Sequence, residues 1–427
     1  MRIAYITAGA AGMYCGSCLR DNTLAAELLA RGHEVTLIPT YTPTRTDETN
    51  VSRKRVFLGG INVYLQQHVA LLRRTPWFLD RLWDAAPVLR LATRWGVRVD
   101  PARLADLTIS MLRGPAGFQR KEIAKLALFL KDEVAPEVVN LPNSLLVGLA
   151  PELKRRLGVP VFCTLQGEDL FLDGLPEAHR QEALRLIRSH AGSVDGFLAV
   201  SRYAAQSMSG YLGIAPEKIR VVPLGINLDG HGGAEADGSN TFTVGYLARV
   251  APEKGLDRLC EAYRLLDLRK PGAPSRLWAA GYLAPEHHPY LEGIERKLAA
   301  WGLAGRFRFH GEVDRAGKIE FLRNLSVLSV PSPYNEPKGL YLLEAMANGV
   351  PVVQPRRGAF PEIIEATGGG ILVDSDEPES FARAIHLLWD DPDKRRELGR
   401  RGREGVRAHY SAGTMAEAAL AAYRSFL

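Results

Sequence analysis

Short apolar runs alternate with stretches of helical periodicity along most of the chain. In the first half, the runs at 2–7, 34–38, 138–141, 160–165 and 196–200 are apolar throughout or nearly so, and stretches of helical pattern separate them. Continuous apolar strands between helices are typical of a parallel sheet that is covered on both faces. The pattern therefore predicts an α/β fold with a buried parallel sheet in this half of the chain.

The same alternation begins again after a Gly-rich polar stretch at 230–240, which indicates a solvated loop near a domain junction. The later predicted strands are 241–246, 276–280, 307–309, 326–330, 351–354 and 370–373. Two such series predict two Rossmann-like domains, at 1–225 and 226–408, that face each other across a cleft. A C-terminal helix at 409–427 is expected to pack back on the first domain. Open sheets of this kind bind ligands beyond the carboxyl ends of their strands.

The composition narrows the class of protein without indicating an activity. The 427 residues fit two or three domains, and 46% apolar with 24% charged residues is typical of a globular chain. No run reaches the roughly 18 to 20 apolar residues of a membrane span, so we expect none. The chain begins directly with a strand pattern, and its four cysteines favour a reducing compartment, so the expected localisation is cytoplasmic.

Positive charge is concentrated in one segment. Residues 68–131 include 12 basic and 5 acidic residues, whereas the whole chain has a formal net charge of only +6. This segment also contains Trp77, Trp83 and Trp95, and its Arg-rich helical pattern leaves three interpretations open. Its helices pack on the first domain and keep their arginines in water, or they contact a membrane surface or lipid-linked acceptor, or they bind another anionic partner. Binding to nucleic acid is not expected, because the rest of the chain is close to neutral.

The candidate chemistry lies in 331–351, which reads as a turn, a helix, a glycine cap and a strand. The helix is expected to begin near Lys338 and Gly339, where N–H groups without intrahelical partners and the positive end of the helix dipole can bind a phosphate. Glu336 stands before the helix and Glu344 lies eight residues later. A rise of about 1.5 Å per residue puts their backbones roughly 10 Å apart, whereas a retaining hydrolase has its two carboxyl groups about 5 Å apart. The spacing better suits two carboxylates that bind opposite ends of one ligand.

This Glu-x7-Glu element, which is followed directly by Ala-Met-Ala-Asn-Gly-Val-Pro-Val-Val, resembles the donor-binding signature of the retaining glycosyltransferases of family 4, which have the GT-B fold. The resemblance extends over most of the chain. Further matching segments are 24–35, 221–227, 245–256, 309–313 and 358–364. Any one segment alone is a weak signal, but together they are specific.

The resemblance implies roles for residues that would bind the donor diphosphate. Arg249 and Lys254 would hold the diphosphate of a nucleotide sugar, and Gly339 and Leu340 would donate backbone N–H groups to it. Negative charge builds on the leaving diphosphate as the sugar–phosphate bond breaks, and fixed cations with helix N–H groups can stabilise it without a metal. No cofactor or metal is therefore expected beyond the nucleotide-sugar substrate.

The same resemblance assigns the two carboxylates and a loop of the first domain. Glu336 would contact the transferred sugar, Glu344 the ribose, and Gly16 the diphosphate. Cys15 replaces the first glycine of the family's Gly-Gly loop, and with Cys18 it forms a C-x-x-C sequence, which leaves a redox or zinc role open. A phosphate-facing loop is the favoured interpretation, since a zinc site needs about two further ligands.

Two positions depart from the family pattern. Gln166 replaces the usual histidine before Asp169, and although an amide can hydrogen-bond a sugar hydroxyl, it cannot titrate near neutral pH. We expect Gln166 and Asp169 to contact the acceptor or the sugar. Lys338 replaces a phenylalanine, and it either adds charge at the diphosphate or donor sugar or points to solvent.

The expected function is transfer of a sugar from a nucleotide-diphosphate sugar to an unidentified hydroxyl acceptor, with retention of anomeric configuration as the resemblance implies. The leaving diphosphate is the expected base, because the sequence shows no well-placed general base. Two alternatives would use the same donor site. They are a nucleotide-sugar 2-epimerase of the same fold and a non-catalytic sugar-nucleotide-binding protein.

Overall fold

The structure is a computed structural model that describes residues 1–9, 14–59, 101–232 and 241–426. The chain divides into two compact units: unit 1 is Met1–Pro223 with Ala416–Leu427, and unit 2 is Leu224–Met415. Each unit contains one six-stranded sheet whose neighbouring strands are parallel. No helix in the described ranges is long and apolar enough to cross a membrane.

Unit 1 is built on six strands and the helices between them. The strands are β1 (Arg2–Ala8), β2 (Glu34–Thr40), β3 (Val138–Leu141), β4 (Val161–Leu165), β5 (Gly196–Ala199) and β6 (Ile219–Val221). The helices are α1 (Gly16–Ala30), α2 (Pro101–Leu112), α3 (Arg120–Phe129), α4 (Ala150–Leu157), α5 (Asp169–Asp173), α6 (Glu177–His190) and α7 (Arg202–Leu212). The strand order across the sheet is β2-β1-β3-β4-β5-β6.

The central strands of unit 1 are buried along their whole length, as their uninterrupted apolar runs predict. Every residue of β3, β4 and β5 is buried. β1 lies between β2 and β3, with Ile3 opposite Val35 on one side and Val138 on the other. Because both faces of a doubly wound parallel sheet are covered by helices, such strands have no alternation of apolar and polar residues.

Unit 2 repeats this architecture with its own core. Its strands are β7 (Phe242–Leu247), β8 (Ser275–Ala280), β9 (Phe307–Phe309), β10 (Val327–Leu328), β11 (Val352–Pro355) and β12 (Gly370–Val373). Its helices are α8 (Leu256–Arg269), α9 (His288–Ala300), α10 (Arg315–Arg323), α11 (Leu340–Ala347), α12 (Phe360–Thr367), α13 (Pro378–Asp390) and α14 (Pro392–His409). The strand order is β12-β11-β10-β7-β8-β9.

The last helix, α15 (Ala412–Arg424), supplies core residues to unit 1. Tyr423 is fully buried, its ring packs edge-on against Phe162 at 4.9 Å, and its hydroxyl donates to Oδ1 of Asn140 at 3.3 Å. The division between the units falls after Pro223 and after Met415, close to but not at the predicted boundaries after 225 and 408.

The structure differs from the predicted elements at two places in unit 1. The helical periodicity of 23–30 predicts a helix there, but α1 begins earlier, at Gly16, because its first turn of Gly, Ser and Cys carries no apolar periodicity. β6, a three-residue edge strand that is only partly buried, was not predicted. Trp77, Trp83 and Trp95 of the basic segment lie outside the described residues, which include α2 and α3 from that segment.

Candidate functional site

The strands β7 and β10 are neighbours at the centre of the unit 2 sheet, with Val244 opposite Val327. From β7 the chain continues to β8 and β9 on one side, and then returns to β10 and continues to β11 and β12 on the other side. This reversal is a topological switch point, where parallel α/β sheets bind ligands beyond the carboxyl ends of their strands. The loops that follow the two strands, at 248–255 and 329–339, therefore define the candidate site.

An ion pair joins these two loops. Lys254 ends the 3₁₀ turn Pro252–Lys254, and its Nζ contacts a carboxylate oxygen of Glu336. The two side chains are only 16% and 6% exposed, so the pair is largely shielded from water. The backbone also fixes Glu336, because its N–H donates to the carbonyl of Tyr334 at 2.9 Å and its carbonyl accepts from the N–H of Ala359 at 2.8 Å. The structure thus brings together two predicted site residues that are 82 positions apart in the chain.

Glu336 is ionised because two lysines, Lys254 and Lys338, lie beside it. Burial acts to raise the pKa of Glu336, but the charge and hydrogen bond of Lys254 and the charge and backbone N–H of Lys338 outweigh burial, so this pKa lies below its ordinary value. Burial and the negative charge of Glu336 raise the pKa of the nearby Tyr341 hydroxyl well above its usual range. At neutral pH the site therefore contains a fixed negative charge beside two ammonium groups.

Two glycines allow the loop before α11 to take its shape. Gly339 is the N-cap of α11 and has a φ of 104°, a left-handed conformation that favours glycine. Gly358 has a φ of 55°, and a Cβ atom there would lie 2.3 Å from the carbonyl oxygen of Glu336. Gly358 therefore lets the turn before α12 approach the backbone of Glu336. α11 begins at Leu340, and the first turn of a helix leaves N–H groups without intrahelical partners.

Glu344, inside α11, forms a second buried ion pair. Its carboxylate contacts Nζ of Lys318 in α10, and these side chains are 8% and 9% exposed. The two carboxylates of the Glu-x7-Glu element are thus held by different lysines on different elements. Each carboxylate is therefore oriented by its own lysine.

The sequence analysis did not predict Lys318 or Tyr341 as site residues. α10 buries Lys318 together with Ile319, Phe321 and Leu322, so a lysine occupies the apolar face of this helix. A lysine among the apolar positions of a helix is the feature of the sequence that could have identified Lys318 as a site residue, because a buried lysine is rare unless it is paired. The hydroxyl oxygen of Tyr341 is buried and has no hydrogen-bond partner in the part of the chain that the structure describes. Such an atom is a candidate ligand contact.

Arg249 lies on the β7 loop, as predicted, but its guanidinium forms a salt bridge with Glu253, four residues later. The Arg249 side chain is 38% exposed. Its carbonyl oxygen accepts a hydrogen bond from the buried Tyr246 hydroxyl at 3.0 Å, which holds the loop on the sheet. The structure therefore places Arg249 near the predicted diphosphate site, and its contact with a diphosphate stays a prediction.

Unit 1 has its own switch point, between β1 and β3. Gly16 is the exposed first residue of α1, which follows β1, and Cys15 is the N-cap. The predicted phosphate-facing loop thus lies at a helix start and at the carboxyl end of a strand beside the switch point. This is the kind of position where anions bind.

Gln166 is buried at the carboxyl end of β4. Its Nε2 donates to the carbonyl of Pro142 at 2.8 Å, and its backbone N–H donates to Glu168 at 3.0 Å. Its amide oxygen has no hydrogen-bond partner within the described ranges. A buried acceptor of this kind can receive a ligand hydroxyl, which is the contact predicted for Gln166. Asp169 is half-buried and begins α5.

Two family models match the chain, one in each unit. The model described as "Glycosyl transferase 4-like domain" matches residues 22–225, and the model described as "Glycosyl transferases group 1" matches residues 234–405. The chain belongs to the family 4-like glycosyltransferases. The matched ranges of this family contain every predicted site residue except Gly16.

Relatives of this glycosyltransferase family member include proteins named "D-inositol 3-phosphate glycosyltransferase". The chain is 29% identical to the Segniliparus rotundus protein over 406 residues, which cover 86% of the chain and 85% of the relative. It is 27% identical to the Kribbella flavida protein over 400 residues, which cover 86% and 91%. Identity to the Streptomyces griseus protein is 34%, but over 36% of the chain and 33% of the relative. The chain spans less than half the length of several Streptomyces relatives in these alignments.

Solved structures share the fold of this family member. Sucrose-phosphate synthase from Thermosynechococcus elongatus has a TM-score of 0.73 at 19% identity, with 99% of this chain and 98% of that chain covered. Anabaena HepE in complex with UDP and glucose has a TM-score of 0.72 at 18% identity, with 100% of both chains covered. These similarities confirm the predicted GT-B fold.

Proposed function

We propose that this chain transfers a sugar from a nucleotide-diphosphate sugar to a hydroxyl acceptor, with retention of anomeric configuration and without a metal ion. The observation that carries the proposal is the buried Lys254–Glu336 pair at the switch point of unit 2, beside the start of α11. A cation, a carboxylate and a helix N-terminus are close together there at one edge of a parallel sheet. Nucleotides bind α/β sheets at such an edge.

The donor diphosphate would bind to the lysines and the helix start. The ammonium of Lys254 has three donors, so it can keep its contact with Glu336 and also donate to phosphate oxygens. Lys338 adds a second positive charge beside the same carboxylate. The Arg249–Glu253 ion pair is partly exposed, so breaking it costs little free energy. Arg249 can therefore leave Glu253 and donate to a phosphate oxygen instead. Negative charge grows on the diphosphate as its bond to the sugar breaks, so these groups stabilise the transition state more than the bound donor.

The two carboxylates would bind different parts of the donor. We propose that Glu336 contacts the transferred sugar and Glu344 contacts the ribose hydroxyls. Their separate lysine partners support this, because each lysine holds its carboxylate in a separate position. In the reaction we propose, the leaving diphosphate accepts the proton of the acceptor hydroxyl.

From unit 1 we propose that Gly16 contacts the diphosphate, and that Gln166 and Asp169 contact the sugar or the acceptor. The buried amide oxygen of Gln166, which has no partner within the residues that the structure covers, supports a contact with a hydroxyl. Solved structures of Anabaena HepE contain UDP or UDP-glucose, and the relatives' name includes inositol 3-phosphate. UDP-sugars and inositol 3-phosphate are therefore the first donors and acceptor to test.

Incubation of the full chain with UDP-glucose and inositol 3-phosphate in EDTA tests the proposal. We expect UDP to be released together with an α-glucosylated inositol phosphate, because the donor is α-linked and the reaction retains configuration. Proton NMR of the anomeric region reads both the product and its configuration. If UDP-glucose gives no turnover, a panel of ADP-, GDP- and other UDP-sugars replaces it.

The same incubation separates the proposal from its alternatives. A 2-epimerase would change the configuration at C2 of the sugar and leave the acceptor unmodified. A binding protein would bind the donor, seen as a thermal shift, without any product. A β-linked product contradicts retention, and activity that disappears in EDTA and returns with Mg²⁺ contradicts the metal-independent reaction.

The cytoplasmic localisation and a contact of the 68–131 segment with a membrane surface are also proposals. The excess of basic residues in that segment supports attraction to anionic lipid. Co-sedimentation with vesicles that contain anionic lipid, compared with neutral vesicles, tests the contact. Equal binding to both kinds of vesicle contradicts a charge-driven contact.

A further inference from the structure

Two cysteines lie at the start of α1 in unit 1. Cys15 is the N-cap of this helix and Cys18 is in its first turn. Cys15 is half-buried, whereas Cys18 is fully buried. A side-chain hydrogen bond with Cys15, together with burial, raises the pKa of the Cys18 thiol. The C-x-x-C sequence therefore forms a contact between two thiols and is not merely a spacing in the sequence.

The backbone at Cys15 allows these sulfurs to approach further. Within a helix, residues three apart have Cβ atoms about 5–6 Å apart, whereas a disulfide needs about 3.5–4.5 Å. Cys15 is not helical: its φ of −113° and ψ of 127° lie in the extended region. Rotation about the backbone and side-chain bonds of Cys15 can therefore bring its sulfur to bonding distance of the Cys18 sulfur while α1 stays intact.

We propose that Cys15 and Cys18 form a reversible disulfide that changes how this chain binds its nucleotide-sugar donor. A C-x-x-C sequence at the start of a helix, next to a βαβ pattern, is typical of sites of thiol–disulfide exchange. Cys15 reacts first because it is the accessible member of the pair, and a thiolate at the N-cap faces the positive end of the helix dipole.

The other two cysteines provide internal controls for the pair. Cys163 lies in β4 and Cys260 lies in α8, and both are buried. Burial shields each thiol from an oxidant in solution, and neither has a second cysteine three residues away along the chain. Neither of them is therefore expected to compete with Cys15 for an oxidant.

The oxidant that we propose is a low-molecular-weight disulfide, RS–SR. The thiolate of Cys15 attacks one sulfur of RS–SR, which forms a mixed disulfide and releases one RSH after protonation. Cys18 then attacks the Cys15 sulfur, which forms the Cys15–Cys18 bond and releases the second RSH. Two protein thiols lose two electrons and two protons, and one RS–SR is reduced to two RSH, so the exchange balances and can be reversed by excess RSH.

Oxidation would move Cys15 more than Cys18. Cys18 is fully buried inside the first turn of α1, which holds it in place, although its thiol loses on oxidation the hydrogen bond that it donates to the carbonyl of Ala8 at 2.8 Å. Cys15 directly precedes Gly16, the exposed first residue of α1, so a sulfur–sulfur bond of about 2.05 Å changes the backbone and the side chain that stand next to this proposed phosphate contact. A ligand binds more weakly to a contact that is no longer held in its binding position, so we expect weaker donor binding in the oxidised form. This consequence rests on the proposed function, whereas formation of the disulfide does not.

The first experiment measures the disulfide itself in the full chain. The protein is equilibrated in buffers of reduced and oxidised glutathione, quenched in acid, alkylated and digested, and its cysteine peptides are identified by mass spectrometry. We expect a Cys15–Cys18 disulfide that reverts with excess reduced glutathione, while Cys163 and Cys260 stay alkylated thiols. Two persistent thiols, or glutathione that remains on Cys15, would overturn the proposal.

The second experiment measures binding of UDP to the reduced and oxidised forms by calorimetry. We expect the dissociation constant to rise on the order of tenfold on oxidation, a typical size for coupling between two sites. Cys15→Ser should abolish the difference, and the matched control Cys260→Ser should keep it. Equal binding by the two forms overturns the proposed control of donor binding and leaves the proposed function standing. A reduced protein that binds no nucleotide sugar of the panel overturns the proposed function, while the peptide analysis still decides whether the disulfide forms.

Discussion

At the scale of single residues, Glu336 and Glu344 have the same chemistry but different partners and positions. Glu336 would face a sugar ring that becomes oxocarbenium-like, so its contacts strengthen in the transition state, whereas the ribose near Glu344 changes little during reaction. We expect Glu336→Gln to lower kcat roughly 10²-fold and Glu344→Gln mainly to raise the donor KM. Saturation kinetics with varied donor measure both. A Glu336→Gln variant with normal kcat and only a raised KM contradicts the assignment.

Lys254 forms a buried ion pair with Glu336 and is proposed to bind the donor phosphate, and variants can separate these two roles. Lys254→Met should destabilise the protein, because loss of one partner of a buried ion pair costs about 3–5 kcal/mol. The double variant Lys254→Met with Glu336→Gln should recover much of this stability without recovering activity. Arg249→Ala should leave stability nearly unchanged, since its pair with Glu253 is partly exposed, but should lower kcat/KM by roughly 10²- to 10³-fold. Urea unfolding and kinetics on the same samples test this, and an active double variant contradicts the phosphate role of Lys254.

The ionisation of Glu336 also predicts how stability depends on pH. Its pKa in the folded protein lies below the ordinary value of 4.5, so its charge stabilises the fold above about pH 4.5 and this contribution is lost as the pH falls through the lowered pKa. The difference in unfolding free energy between wild type and Glu336→Gln should therefore stay constant as the pH falls from about 7 to about 4.5 and shrink below that, as the pH passes through the lowered pKa.

Urea unfolding at a series of pH values measures that difference. Glu261→Gln is the matched control, because Glu261 pairs with Lys297 at the surface, where the two side chains are 41% and 56% exposed. Its difference from wild type should stay near zero throughout. A Glu336→Gln difference that is constant over the whole pH range contradicts the ionised, lysine-held carboxylate.

At the scale of elements, the site depends on how closely the turn before α12 approaches the loop before α11. Gly358→Ala would place a Cβ atom 2.3 Å from the Glu336 carbonyl and would strain a residue with positive φ. Gly302→Ala has a similar positive φ, 74°, with no heavy atom within 4 Å of the added Cβ. We expect Gly302→Ala to cost about 1 kcal/mol of stability and Gly358→Ala clearly more, with loss of transfer activity. Thermal unfolding and kinetics compare the two variants. Equal stability and equal activity of the two would contradict a requirement for the close contact between Gly358 and the Glu336 backbone.

The elements were more predictable from the sequence than the contacts between them. The sequence pattern predicts β3, β9 and β12 with the bounds that the structure has. Burial on both faces explains the apolar run of β3, every residue of which is buried. The three-residue edge strand β6 was not predicted. The Glu-x7-Glu element identified the two carboxylates, but no local pattern predicts their partners. Lys254 and Lys318 lie far from them along the chain, and tertiary packing alone decides the pairing.

At the scale of the whole molecule, a ligand that binds only the folded state stabilises it by mass action. At a concentration of about 100 times its Kd, the correct nucleotide should stabilise the chain by about 2.7 kcal/mol. Thermal unfolding with a panel of nucleoside diphosphates and nucleotide sugars measures this stabilisation. We expect the shift to be unchanged by EDTA and to be reduced in the Lys254→Met, Glu336→Gln double variant. A stabilisation of the same size in the double variant would mean that the nucleotide does not bind at Lys254 and Glu336.

The most direct test of the account is sugar transfer itself, compared between the wild type and the Lys254→Met, Glu336→Gln double variant in EDTA. The account predicts that the wild type releases nucleoside diphosphate in step with formation of an acceptor product of retained configuration. It predicts that the folded double variant loses this activity by at least roughly 10²-fold, because both charges at the switch point of unit 2 are gone. A wild type that binds the donor without turnover, or a double variant that transfers sugar at the wild-type rate, would contradict the central claim.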